Sequence, residues 1–412
     1  MTVRISRYTT DSYKLTVGYV FWRWNMILNM DVWGEYMFVD RDRRQYPPGF
    51  AERLREKFIE FSELPPRPEI ASYYADQCRY VPVEYINWYD NVFYFDPNQI
   101  DLSQKGGELR IVYQGPLHTV NHHEIISLRA ISDLITEMFG YKPNYGWQDP
   151  IHHMFKTIKQ RGVTNSHGGG RRALSRDHHN DVLGIATKYK KGEGDSGGFY
   201  GESMVDMAWV HGLKIMGTMG HEFPEACAGI WGVENANKMA RKIWHEVYGR
   251  NVGYWLDDTW GSDWSDIEIT KEEVRRLTGF RHDSGPFDWY VDQKIALLDR
   301  LKEPNTNKHI ITSEGLKTLE DIIHTVEYKP GNFARASLLG KILSNNSCNT
   351  GNDRYGKPSI GYNIVNKLMR IRVGNSTPKD VCKISNDDTK AVGSPEAIAE
   401  AIAARDLAMS KE

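Results

Sequence analysis

From about residue 160 onward the chain repeats one local pattern: a short apolar run, a turn rich in Gly, Ser or Asp, then a stretch of helical period. The runs include "LKIMGT" (213–218), "VGYWLDD" (252–258) and "KHIITS" (308–313). The helical stretches include "ENANKMARKIWHEVYG" (234–249) and "DWYVDQKIALLDRLK" (288–302), and "TKEE" (270–273) is a capping box that starts a further helix. Strands that alternate with helices pair in parallel through crossovers, so this half is expected to form an α/β barrel or an open parallel sheet. In a barrel, ligand-binding residues gather where strands end and helices begin. His221, Asp257, Asp258, Asp283, Ser313 and Glu314 all fall at such places.

The N-terminal region has a different texture. "GEYMFVDRDR" (34–43) and "ELRIVYQGPL" (108–117) predict strands, and "PPGFAERLREKFIEFSEL" (47–64) predicts a helix with proline near its start. "HHEIISLRAISDLITEMFG" (122–140) carries Ile131, Leu134, Ile135 and Met138 on one helical face and stops at Gly140. After the polar loop "SNNSCNTGNDRYGKPS" (344–359), "IGYNIVNKLMRIRV" (360–373) returns to strand character.

A chain of 412 residues with a formal charge of −2 can bury a large core but has no bulk attraction to nucleic acid or acidic membranes. Anionic ligands must therefore be held by local arginines and backbone amides. No uncharged apolar run reaches the roughly 18 residues of a membrane span, and the polar start "MTVRISRYTTDSYK" is expected not to be a signal peptide. Cys78, Cys227, Cys348 and Cys382 lack CxxC spacing, which favours reduced thiols in a cytoplasmic protein.

"GTMGHEFPE" (217–225) begins like a zinc-protease HExxH helix, but the fifth position is Glu225, and Pro224 lies within the expected helix. His221 needs another role, and Asp257 or Asp258 is placed to orient its ring. "SHGGGRRALS" (166–175) sets three glycines before Arg171 and Arg172, a backbone suited to close approach by an anion with two forks for phosphate oxygens; a flexible loop with surface arginines is equally consistent. In "FRHDSGP" (280–286), Arg281 and Asp283 point the same way in extended backbone, as a phosphate and hydroxyl pair or as a salt-bridged turn. "KKGEGDSGGFYGES" (190–203) reads as a turn-rich linker except at its end, 201–203. The doublets His122–His123, His152–His153 and His178–His179 are poor metal sites, because adjacent side chains diverge.

Taken in order, "TDSYKLT" (10–16), "GEYMFVDR", the arginines after glycine, "FYGES", "GTMGHE", "DDTW", "RHDSG" and "VCKISNDDTK" (381–390) resemble the nicotinate phosphoribosyltransferases, over residues 9 to 393. The resemblance implies an irregular α/β barrel of the type II phosphoribosyltransferase kind (146–345), with an α+β domain formed by the N-terminal region (1–145) and the C-terminal segment (346–412). It also implies a homodimer with shared active sites that joins nicotinate to 5-phosphoribosyl-1-diphosphate, with ATP as co-substrate and Mg²⁺ at the diphosphate. His221 would be the residue phosphorylated by ATP, with Asp258 orienting it. Asp283 would lie near the ribose hydroxyls, and Arg281 near the base and ribose phosphate. Tyr13 and Arg41 would come from the partner, Tyr13 stacking on the pyridine and Arg41 joining Arg171 on phosphates. Arg172, Ser313 and Glu314 complete the expected binding set.

Two positions depart from the family pattern. Gly168 stands where an aromatic residue forms half of the pyridine sandwich, and "FARASLLGK" (333–341) has Ala334 and Ala336 in place of phosphate-loop glycines, with Arg335 expected to compensate. Ser203 favours nicotinate, since an aspartate there would accept from an amide but repel a carboxylate. A nicotinamide enzyme, a metal-dependent barrel hydrolase using His221, Asp258 and Asp283, and a catalytically silent subunit remain as alternatives.

Overall fold

The computed structural model describes residues 4–340, 342–343, 348–349, 362–386 and 391–411. In chain order the strands are β1 (Val32–Asp40), β2 (Ile100–Lys105), β3 (Glu108–Pro116), β4 (Lys142–Pro143), β5 (Thr164–His167), β6 (Gly198–Glu202), β7 (Lys214–Ile215), β8 (Tyr254–Trp255), β9 (Gly279–His282), β10 (His309–Thr312), β11 (Ala334–Leu339), β12 (Cys348–Asn349), β13 (Ile364–Val373) and β14 (Lys379–Asp380). The loop 344–359 lies outside the described residues except for β12, which pairs with β4.

The seven-stranded sheet runs β7-β6-β5-β11-β10-β9-β8, and every ladder in it is parallel. Pairing β11 with β5 curls the sheet towards a barrel, left open between β7 and β8. The expected helices close over it: Val233–Tyr248, Phe287–Leu301, and Lys271–Arg276 behind its Thr270 capping box. The second sheet, β14-β13-β1-β3-β2, is antiparallel and joins N-terminal strands to the returning C-terminal ones. The helix His123–Phe139 ends, as its sequence predicts, at Gly140 with φ 68°, a left-handed cap that glycine adopts without strain.

Pro224 does not break a helix. The helix Glu222–Trp231 starts only two residues earlier, so proline occupies its first turn, where the missing N–H has no intrahelical acceptor to lose. Cys78, Cys227 and Cys382 are buried and free. Among the described residues, no helix is long and apolar enough to cross a membrane.

Two short pairings carry distant segments to the barrel rim. Residues 8–12 run antiparallel to 203–206: Ser12 N donates to Ser203 O (2.8 Å) and Val205 N to Thr10 O (2.9 Å). The C-terminal stretch around Lys383 bridges to Val392, and Ile384 N donates to Thr259 O (2.8 Å). The first pairing sets Tyr13 and the second sets Lys383.

Candidate active site

His221 is the residue before the helix Glu222–Trp231, at the end of the loop leaving β7, with its side chain 10 % exposed. Lys383 Nζ donates to Nε2 at 2.6 Å. An ammonium only donates, so the neutral ring must accept at Nε2 and carry its proton on Nδ1, which lies 3.1 Å from Thr259 Oγ1. Asp283 Oδ2 faces the same Nε2 at 3.1 Å and becomes its acceptor once that nitrogen is protonated. Burial, then the Lys383 charge, pushes the imidazole down to about 4. Near neutral pH it is a free base whose Nε2 lone pair accepts from Lys383.

Asp258, the expected orienting partner, makes no hydrogen bond to this ring. Its nearest oxygen is 3.6 Å from Nε2, because Asp258 Oδ2 is drawn instead to Ser284 Oγ and to Lys383 Nζ at 3.3 Å. Burial favours its neutral form, but Lys383 and His221 hold the carboxyl below its usual range. Asp257 is further removed, buried with Lys294 Nζ at 2.5 Å and Tyr290. The histidine's neighbour Glu222 turns inward to the buried Lys14, which also meets Glu124 at 2.6 Å.

Arg281 and Asp283 are both a salt bridge and part of the rim. Arg281 Nη2 donates to Asp283 Oδ1 (2.9 Å), its Nε to Ser313 Oγ (3.1 Å), and Ser313 Oγ to Asp283 Oδ1 (2.7 Å). Against burial, Arg281 and then His221 hold Asp283 well below the ordinary carboxylate range. Burial, then Arg171 and Arg41, lowers Arg172 to about 10, with Glu314 and Asp283 opposing, so these charges share one region.

Within a single chain, Tyr13 and Arg41 already lie in this region. The ring of Tyr13 packs on Gly220, where an added Cβ would come within 2.9 Å of Cε2, and its hydroxyl donates to Glu124 (3.3 Å). The 8–12 pairing with 203–206 is the physical reason, since it docks the first helix on the barrel that follows it in the same chain. The same pairing delivers Asp11, which accepts from Ser203 Oγ and Arg171 Nη1, both at 2.8 Å.

Arg335 is not at the rim. β9, β10 and β11 align Arg281 with Ile311 and Ala336, so Arg335 projects from the opposite face, over Phe287 and Phe333. Gly168 is explained by packing: a Cβ there would meet the Leu338 side chain at 2.7–2.9 Å. An aromatic ring at that position would have to displace the Leu338 side chain.

His221, Asp258 and Asp283 are spaced as metal ligands, yet Lys383 Nζ already stands among them, at 2.6, 3.3 and 3.7 Å. That cation takes the histidine lone pair a metal would need and removes the basis for the hydrolase reading. Lys383 is the functional residue that residue-by-residue reasoning missed; its only sequence signal is its place in "VCKISNDDTK", of which 387–390 lie outside the described residues.

A barrel rim that gathers arginines beside a neutral, buried imidazole is suited to anionic ligands. Comparison with known proteins makes the class specific. Residues 165–392 match the nicotinate phosphoribosyltransferase (NAPRTase) family and residues 8–132 its N-terminal domain. The chain belongs to the nicotinate phosphoribosyltransferase family. It is 27% identical over 386 residues to the nicotinate phosphoribosyltransferase of Methanosarcina mazei, covering 88% of this chain and 90% of that one. It is 28% identical over 382 residues to that of Chromohalobacter salexigens, covering 91% and 92%. The crystal structure of nicotinate phosphoribosyltransferase from Porphyromonas gingivalis superimposes with a TM-score of 0.89 at 28% identity, over 98% of this chain and 100% of that one.

Proposed function

We propose that this chain is a nicotinate phosphoribosyltransferase in which ATP phosphorylates His221, and the phosphohistidine drives formation of nicotinate mononucleotide from nicotinate and 5-phosphoribosyl-1-diphosphate. The observation that carries the reading is the His221 imidazole, buried and neutral with its Nε2 lone pair facing Lys383. In the first step Nε2 attacks the γ-phosphorus, an N–P bond forms, and the P–O bond to ADP breaks. Lys383 passes its contact from Nε2 to the incoming phosphoryl oxygens, while Nδ1–H stays on Thr259. Asp283 then balances the positive charge developing at the ribose, Arg281 holds that carboxylate in place, the departing diphosphate meets Arg171 and Arg172, and hydrolysis of the N–P bond releases phosphate and restores the imidazole.

Mg²⁺ would take its carboxylate donors from Asp258, whose buried Oδ1 has no hydrogen-bond partner, and Asp283, with Lys383 Nζ, 3.3 and 3.7 Å from them, giving way to the ion. When bound, the ion neutralises the diphosphate leaving group.

Nicotinate is favoured over nicotinamide because Ser203 adds no second carboxylate beside Asp11, whose charge Arg171 already balances. The protein works as a cytoplasmic homodimer in this reading, with each chain supplying its own Tyr13 and Arg41. The test is a product assay with 5-phosphoribosyl-1-diphosphate and nicotinate, nicotinamide or quinolinate, with and without ATP. Nicotinate mononucleotide raised by ATP supports the proposal; equal or better turnover of nicotinamide overturns it.

A further inference from the structure

Behind the base-side wall, outside the His221 site, lies a second convergence of ligands. His167 ends β5, Glu202 ends β6, and the two are register partners in a parallel ladder, so their side chains leave on the same face. His179 reaches them from the helix Arg176–Ala186. His167 Nδ1 lies 2.6 Å from Glu202 Oε2, His179 Nε2 lies 3.3 Å from the same oxygen, and the two ring nitrogens are 3.0 Å apart. All three residues are buried.

We propose that His167, His179 and Glu202 bind one late first-row divalent ion of the zinc class. Donors about 2.1 Å from such an ion stand about 3.0 Å apart at right angles and about 3.4 Å apart in a tetrahedron, so the three edges here, 2.6, 3.0 and 3.3 Å, gather the donors around one point but must open by up to about 0.8 Å to admit a tetrahedral ion. As a plain hydrogen-bond cluster the arrangement is poor. Two ring nitrogens converge on one carboxylate oxygen, and their mutual contact either sets two N–H groups face to face or leaves one ring with no proton for Glu202. An outer contact is in place, because Glu202 Oε1 accepts from Met204 N at 2.7 Å and so holds Oε2 towards the imidazoles. One charge opposes a dication: the buried Arg129, which is shared with Asp133 and Gly170 O. Imidazole donors select against magnesium and calcium.

The consequence is local order in the substrate wall. His167 precedes Gly168, and its carbonyl accepts from Ser203 N at 2.9 Å, so an ion here ties the glycine–arginine loop to Ser203.

The test is metal uptake by the untagged full chain, stripped with chelator and titrated with Co²⁺ and with Zn²⁺, followed by visible absorption and elemental analysis. One ion per chain is expected, with Glu202→Gln and His167→Asn each weakening uptake about 100-fold and His221→Ala leaving it intact. No stoichiometric uptake by the wild type overturns the proposal, as does uptake unchanged in both site variants. Should both variants fail to fold, wild-type histidine NMR decides: Zn²⁺ must shift the ring signals of His167 and His179, and their constancy overturns the assignment.

Discussion

Replacing Lys383 with methionine removes the ammonium from His221 Nε2 while keeping the length of a side chain that is 5 % exposed. In the intact protein the imidazole is displaced from 6.5 to about 4. That displacement is worth about 3 kcal/mol. Burial is its largest cause and Lys383 the second, so loss of the lysine should raise the imidazole part of the way back towards its ordinary value. Asp283 and Asp258, no longer screened by the ammonium, pull in the same direction. The sign follows: a depressed histidine favours the folded state fully above its unfolded pKa near 6.5, and this contribution is lost as pH falls through that value towards about 4. The variant should therefore protonate His221 at a higher pH than the wild type. NMR titration of the His221 Cε1–H signal measures this directly, with circular dichroism to verify the fold, because uncovering a buried carboxylate costs about 3–5 kcal/mol. A midpoint equal to or below that of the wild type would refute the argument that Lys383 keeps the nucleophile neutral.

Tyr13→Ala and His221→Ala should each be inactive, and mixing them should restore nothing, since both residues belong to one chain's site; recovery after confirmed subunit exchange would contradict that. Gly168→Ala should cost about 1–3 kcal/mol by forcing a methyl against Leu338, visible as a lower Tm, and Leu338→Ala should recover part of the loss. Arg335→Met should leave the KM for 5-phosphoribosyl-1-diphosphate within about twofold, whereas Arg171→Met should raise it about tenfold or more; equal effects would place Arg335 at the rim after all. Asp258→Asn should slow phosphorylation less than Asp283→Asn does, which single-turnover labelling with ATP can separate.

The barrel half was legible because alternating apolar runs and amphipathic helices satisfy one architecture, and "RHDSG" and "GTMGHE" did fall at strand ends. What was not legible was partnership across distance. Lys383 meets His221 from 162 residues away, through one β-bridge and two backbone hydrogen bonds to Thr259 that leave no local pattern. The preference of His221 for Thr259 and Asp283 over Asp258 depends on a distance difference of 0.5 Å, from 3.1 to 3.6 Å, set by Ser284. Arg335 was misplaced because the register that aligns Ala336 with Arg281 must be known before strand parity can be counted. His179 meets His167 and Glu202 on other elements while its neighbour His178 packs against Trp147, a convergence that the spacing within the doublet does not reveal.

The most direct measurement is phosphopeptide mapping after incubation with γ-labelled ATP and Mg²⁺. A single acid-labile, base-stable label on the peptide containing His221, absent from His221→Ala along with ATP hydrolysis, is the predicted result. Label that persists in His221→Ala would contradict the account and leave this histidine a hydrogen-bonded residue at a strand end.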